Sequence, residues 1–166
     1  TEAFATLAGL ARETERIRLM VLVSPLTFRH PAIIAKAAAT IDEMSGGRFV
    51  LGVGTGWMEE EHAALGLPFP SWTERFARLE EALQYLRAAL GKEDGGFTGS
   101  HYRLGPDPVR PLPAGPLPLV VGGTGARRTP RLAGRYADEY NATFVSAADL
   151  PPRLDAAREA AAAAGR

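Results

Sequence analysis

The sequence predicts an α/β fold built on a parallel sheet, and three observations carry that expectation. Segments of helical periodicity alternate along the chain with short apolar runs. Those runs, such as Phe49-Val50-Leu51-Gly52-Val53, lack the in-and-out alternation of a strand with one wet face, so they read as strands covered by helices. Two of them open into glycine-rich loops, Gly52-Val53-Gly54-Thr55-Gly56 and Gly122-Gly123-Thr124-Gly125, and strand ends of that kind are where α/β proteins place ligands. A doubly wound sheet and a (β/α)8 barrel both satisfy the pattern. A barrel needs eight strands and about 250 residues, whereas four strands are readable in these 166 residues.

Taken in order, residues 2–13 are helical and 17–23 form an apolar strand. Pro31 fits the first position of a helix over 32–44, which Gly46-Gly47 stops. The second strand is 49–53, and residues 59–65 form one or two helical turns. Thr73 is the expected cap of a long amphipathic helix over 74–90, with Phe76, Leu79, Leu83 and Leu86 on one face. Residues 91–116, rich in glycine and then proline, form a surface excursion with a short hairpin at 97–104. The third strand is 117–121, followed by a helix over 127–136, and 138–144 is the candidate fourth strand. Asp149 and Pro151-Pro152 begin the last, alanine-rich helix.

With 46% hydrophobic and 23% charged residues the composition is that of one ordinary globular domain, which excludes disorder. Nineteen basic residues balance nineteen acidic ones, so no overall field favours nucleic acid or an anionic membrane as partner, although Arg127, Arg128 and Arg131 form a local basic cluster. The chain has no cysteine, hence no disulfide framework or thiolate metal site. No apolar run is long enough to span a bilayer and the first residues show no secretory n-region and h-region, so the cytoplasm is the location expected by default. The first residue is Thr1, already entering a helix, and the chain stops within the alanine-rich helix over 156–164. It is therefore expected to be a piece of something longer.

The glycines of the first loop do not form the G-x-G-x-x-G dinucleotide fingerprint, because Trp57 occupies the position after Gly56. Small residues at Gly54, Thr55 and Gly56 let a flat ring or a phosphate approach the backbone, or simply make a tight turn. Gly122 to Gly125 before a helix carrying Arg127 and Arg128 suits a phosphate. His30, His62 and His101 have no metal-ligand spacing, and Ser24 has no nucleophile-elbow context. Glu59, Glu60 and Glu61 offer a general acid or base beside the loop, or a solvated first turn favoured by the helix dipole. The apolar loop over 24–31 is either a pocket wall or plain packing.

Together these segments resemble the luciferase-like monooxygenase family, and more closely its branch dependent on the deazaflavin coenzyme F420. The resemblance rests on Ile17-Arg18-Leu19, Leu26-Thr27-Phe28-Arg29-His30-Pro31, Thr40-Ile41-Asp42-Glu43-Met44-Ser45-Gly46-Gly47-Arg48-Phe49 and Gly52-Val53-Gly54-Thr55-Gly56-Trp57. Glu59, Glu60, Gly66, Arg75-Phe76, Leu79-Glu80-Glu81, Phe97, Gly99, Tyr102, Leu119-Val120-Val121-Gly122-Gly123 and Tyr136-Ala137-Asp138 extend it over residues 16 to 146. It implies a partial (β/α)8 TIM barrel in which the four parallel strands are the third to sixth, with residues 1–166 as a single incomplete domain and 91–116 as an excursion within it.

The function implied is that of a flavin- or deazaflavin-dependent oxidoreductase, with F420, or alternatively FMN, as cofactor and a small organic molecule as substrate. An FMN-dependent monooxygenase and a non-catalytic truncated remnant are the rival readings. The resemblance assigns Leu22, Val23 and Ser24 to one face of the cofactor ring, with a non-prolyl cis peptide at Leu22-Val23. It assigns Gly54, Thr55 and Gly56 to the ring edge, and Val121, Gly122, Gly123 and Thr124 to the phosphate. Glu60 and His30 are candidates for acid or base, with no role assigned. The sugar-phosphate dehydrogenases of the family carry a Glu directly after the Gly-Thr-Gly loop where this chain has Trp57, so that activity is not expected. The full-length protein is expected as a homodimer.

Overall fold

The computed structural model describes residues 1–107 and 110–166. Its centre is a parallel sheet in the order β1 (Leu19–Pro25), β2 (Phe49–Gly54), β5 (Leu119–Gly122) and β6 (Glu139–Asn141). Spatial order follows chain order without a reversal, so the sheet has no topological switch point and is an arc of a barrel rather than a doubly wound sheet. The helices are α1 (Ala3–Glu13), α2 (Pro31–Ser45), α3 (Glu59–Ala64), α4 (Trp72–Ala89), α5 (Arg128–Tyr136) and α6 (Leu150–Ala163). A hairpin of two-residue strands, β3 (Phe97–Thr98) with β4 (Arg103–Leu104), lies within the predicted excursion, of which residues 108 and 109 lie outside the described residues.

Alternate residues of the strands, Leu19, Val21, Phe49, Leu51, Val53, Leu119 and Val121, pack into one core with Ile34, Ala38 and Ile41 of α2 and Leu79, Leu83 and Leu86 of α4. Val50 and Val120, between them in sequence, are buried as well. Burial on both faces is why these strands carry no hydrophobic alternation.

Several boundaries differ from the sequence expectation, each for a local reason. β1 starts at Leu19, because the Ile17 carbonyl turns to accept from Arg48 and its side chain stays 54% exposed. It runs on to Pro25 through a register shift between Val21 and Ser24, where the Leu22–Val23 peptide is cis as the resemblance implied. The cap of α4 is Ser71 rather than Thr73: its Oγ accepts from the Glu74 N–H at 3.3 Å. β5 begins at Leu119 rather than at 117, with Leu117 still in the core. β6 is shorter than the predicted 138–144, because Asp138 bonds back to Leu119 and Phe144 adopts φ 52° with its ring 96% exposed.

The edge where the strands begin is tied by charged side chains. The Arg48 guanidinium donates to the carbonyls of Ala11 (2.9 Å), Thr14 (2.7 Å), Ile17 (2.7 Å) and Ser45 (2.7 Å), joining the ends of α1 and α2 to the start of β2. Asp42, buried in α2, accepts from the Ala114 N–H at 2.9 Å and holds the excursion down. Burial raises the Asp42 pKa above the ordinary carboxylate value, and backbone N–H donors oppose the shift. Asp138 accepts from the Leu119 N–H at 2.8 Å and from Lys92, pinning β6 to β5.

Candidate active-site cavity

Because the four strands are parallel, their carboxyl ends open onto one edge, and there the chain forms a cavity of about 490 Å³. That lies in the range of small-molecule and cofactor sites, roughly 300–1,000 Å³. Leu22, Val23 and Pro25 supply one wall, Gly54 to Met58 a second and Gly122 to Gly125 a third, with Thr143 and Phe144 beyond β6. Of the residues singled out from the sequence, Leu22, Val23, Gly54, Thr55, Gly56, Gly122, Gly123 and Thr124 line it together. Ser24 and Val121 do not. Ser24 is 2% exposed and its buried hydroxyl has no partner, whereas Val121 belongs to the helix-facing core.

His30 and Glu60 are also outside the cavity wall. His30 caps α2, its Nδ1 accepting from the Ala32 N–H at 3.1 Å while its ring meets Tyr102 edge-on. Glu60 lies in the first turn of α3, and the acid that reaches the wall is its neighbour Glu61.

The glycines owe much of their placement to Val23. A Cβ on Gly54 would stand 2.8 Å from Val23 Cγ2, and one on Gly122 would stand 2.7 Å from Val23 Cγ1. Any larger residue would force the Val23 side chain to shift. Beside the two readings open from the sequence, ligand approach and a tight turn, the structure adds a third, since Gly54 and Gly122 leave room for a side chain of the protein itself. Gly56 has φ +75°, and its carbonyl accepts from Arg75. The guanidinium of Arg75 is buried over the Phe69 ring at 4.0 Å and the Trp72 ring at 4.9 Å, and burial lowers its pKa while Glu59 opposes the shift.

His62 was not foreseen as part of the site. It is 1% exposed and stacked edge-on against Phe28 and Phe69 at 4.8 and 4.7 Å. Its Nδ1 lies 2.6 Å from the Met58 carbonyl, which can only accept, so Nδ1 carries a proton. Nε2 faces the Thr27 hydroxyl at 2.7 Å. The pair ties the loop after β1 to the loop after β2. Thr27 is 35 positions away from His62, so no local spacing could have revealed the contact.

At the third wall the Gly123 N–H donates to the Asn141 carbonyl at 3.1 Å and is not free for a ligand. The N–H groups of Thr124, Gly125 and Ala126 have no backbone acceptor among the described residues, and α5 begins without a side-chain cap. Thr129, 4% exposed, turns its side chain to the same place: a Cβ on Gly125 would stand 2.6 Å from its Oγ1. Uncapped N–H groups, a buried hydroxyl and adjacent arginines make an anion cradle. Opposite it, Leu22, Trp57, Trp72 and Phe144 keep large apolar surfaces open, at 56%, 76%, 50% and 96% exposure. An apolar plane beside an anion cradle fits a flat ring carrying a phosphate.

The family model for luciferase-like monooxygenases matches residues 1–166. The chain is similar to an F420-dependent glucose-6-phosphate dehydrogenase of Nakamurella multipartita, 39% identical over 163 residues that cover 96% of this chain and 48% of that relative. It is also similar to a pyrimidine monooxygenase of Enterobacter cloacae, 33% identical over 172 residues that cover 99% and 46%. Among solved structures it matches an F420-dependent secondary alcohol dehydrogenase in complex with an F420-acetone adduct at TM-score 0.88 and 25% identity, over 100% of this chain and 51% of that one. The chain thus spans about half the length of the curated relatives it matches.

Proposed function

The chain belongs to the luciferase-like monooxygenase family, and from that premise we propose that it carries the cofactor site of an F420-dependent oxidoreductase moving hydride to or from a small organic molecule. The observation that supports this most is the pairing of an open apolar wall with the cradle at Gly125 and Thr129 on the strands' carboxyl edge. In this reading residues 1–166 are the central part of the barrel, a single incomplete domain with 91–116 as its excursion. A homodimer in the cytoplasm completes the proposal. No helix of the described residues is long and apolar enough to cross a membrane.

When bound, the deazaflavin supplies the hydride chemistry. The chain's own part is binding and orientation. Leu22 and Val23 support one face of the ring, and Gly54 to Gly56 border its edge on a loop held rigid by Arg75 and the His62–Thr27 pair. Thr129 and the N–H groups of Thr124 and Gly125 take the phosphate, and the indoles of Trp57 and Trp72 exclude water from the ring. Glu61, on the wall, and His62, whose Nδ1 proton is engaged by a carbonyl, are the ionisable groups nearest the ring position. By the resemblance, Trp57 stands where a Glu is expected in the sugar-phosphate dehydrogenases of the family, so sugar phosphate is not the proposed substrate. An FMN-dependent monooxygenase is the second reading, favoured by the likeness to the pyrimidine monooxygenase.

Titration of the complete protein with F420 and with FMN, followed by cofactor fluorescence, tests the proposal. F420 is expected to bind more tightly than FMN. Thr129→Val keeps the shape and removes the hydroxyl, so it is expected to weaken binding about ten- to a hundredfold, the worth of one hydrogen bond to a charged group. Binding of neither cofactor overturns the reading, and unchanged affinity in the variant removes Thr129 from the site.

A further inference from the structure

A second cavity, of about 390 Å³, runs between α4 and α5, walled by Thr73, Phe76 and Glu80 on one side and Arg128, Arg131 and Arg135 on the other. It adjoins the first at two neighbouring pairs. Trp72 lines the main cavity and Thr73 the groove, while Thr129 lines the main cavity and Arg128 the groove. The three arginines recur at helical spacing down one face of α5, starting beside the anion cradle. Arg135 is paired with Glu80 at 3.1 Å. Arg128 lies over the Phe76 ring at 5.5 Å, and neither Arg128 nor Arg131 has a carboxylate partner among the described residues. A chain with no net charge thus concentrates unpaired positive charge in one groove that leads away from its phosphate position.

We infer that this groove is a subsite for an anionic extension continuing past the cofactor phosphate, a short run of carboxylates held by Arg128 and Arg131 and reaching towards Arg135. The inference rests on the cofactor reading above and deepens it. F420 carries an oligoglutamyl tail beyond its phosphate, whereas FMN ends at the phosphate, so the groove also supplies a reason for preferring the deazaflavin. From Arg128 to Arg135 the helix rises about 10 Å, the span of about two or three extended tail residues. Glu80 at the far end would repel a longer tail unless it kept Arg135 as its own partner.

The test compares F420 bearing its glutamates with F420 trimmed of them, ring and phosphate unchanged, on the full chain and on Arg131→Glu. Arg131 is exposed, so the variant keeps the fold. Trimming is expected to weaken binding about fivefold in low salt, the upper range of an exposed ion pair, and the difference is expected to vanish in high salt. Arg131→Glu is expected to bring full-length F420 down to the trimmed level or below and to leave trimmed F420 where it was. Equal affinity for both forms overturns the groove and leaves the cofactor reading standing, whereas binding of neither overturns the cofactor reading. A variant that changes oligomeric state while tail discrimination persists assigns the groove to a protein interface instead.

Discussion

At the edge where the strands begin, Arg48, Asp42 and Asp138 are engaged within the chain, Arg48 and Asp42 by backbone groups of neighbouring elements and Asp138 by the Leu119 N–H together with Lys92 and Arg166. At the edge where they end, N–H groups of residues 124–126 lack backbone acceptors among the described residues, Thr129 lines the cavity, and four large apolar side chains stand open. Both edges are built from motifs that carry the family resemblance, yet one is satisfied within the chain and the other is not. A barrel divides its labour in this way, with stability at the amino-terminal face and chemistry at the carboxyl-terminal one. Typicality of a motif therefore says little about which job it does. The Gly46-Gly47-Arg48-Phe49 run is a structural clamp, whereas the Gly54-Thr55-Gly56 run borders the cavity.

The sharpest way to break this division is Arg48→Ala. It strands carbonyls of Ala11, Thr14 and Ile17 at the end of α1, and a loss of about 3 kcal/mol is expected, or about 6–12 °C in Tm. Cofactor affinity of the folded fraction should be unchanged; a variant that melts normally but binds poorly would reverse the assignment of the two edges.

Gly54→Ala attacks the other edge. Its Cβ meets Val23 at 2.8 Å and the Gly122 carbonyl at 3.1 Å, so about 1–2 kcal/mol of stability is expected to go, together with a larger, at least tenfold, loss of cofactor affinity. Thermal melts paired with titration separate the two effects. Wild-type affinity in Gly54→Ala would show that Val23 is free to move without disturbing the site.

The smallest expected effect concerns acid. Burial raises the Asp138 pKa, but hydrogen bonds from Lys92 and the Leu119 N–H and the charges of Lys92 and Arg166 outweigh it, leaving the pKa below the ordinary value. A depressed folded-state pKa contributes stability above the unfolded value of about 3.9, and that stability is lost as pH falls through the folded value. Asp138→Asn should therefore be less stable than the wild type near neutrality, with the gap closing as the pH is taken down to about 2.5. A gap that stays constant in melts across that series would remove Asp138 from the clamp.

The order of elements and the parallel sheet were legible because double-sided burial leaves uninterrupted apolar runs, and the cis peptide at Leu22–Val23 was legible through the family resemblance alone. Boundaries were less so where a side chain elsewhere decides them. Arg48 takes the Ile17 carbonyl and shortens β1, and Asp138 does the same to β6. The cap of α4 had a readable signal, since Ser71 with Glu74 three residues on is the sequence signature of a capping box, of which the fold makes the Ser71 half while Glu74 pairs with Arg78. At the site, loops that line the cavity with contiguous backbone could be read. His62 and Arg75 could not, because each acts through a partner brought near only by the fold, and Thr129, four residues after Gly125, carries no signal that sets it apart from any other residue of a helix's first turn.

Trp57 and Trp72 are the chain's two tryptophans, and both stand on the cavity wall. The indole emission of these 166 residues consequently originates at one place. A bound chromophore that absorbs where indole emits would quench both sources at once by energy transfer, without any label. The site is its own optical probe.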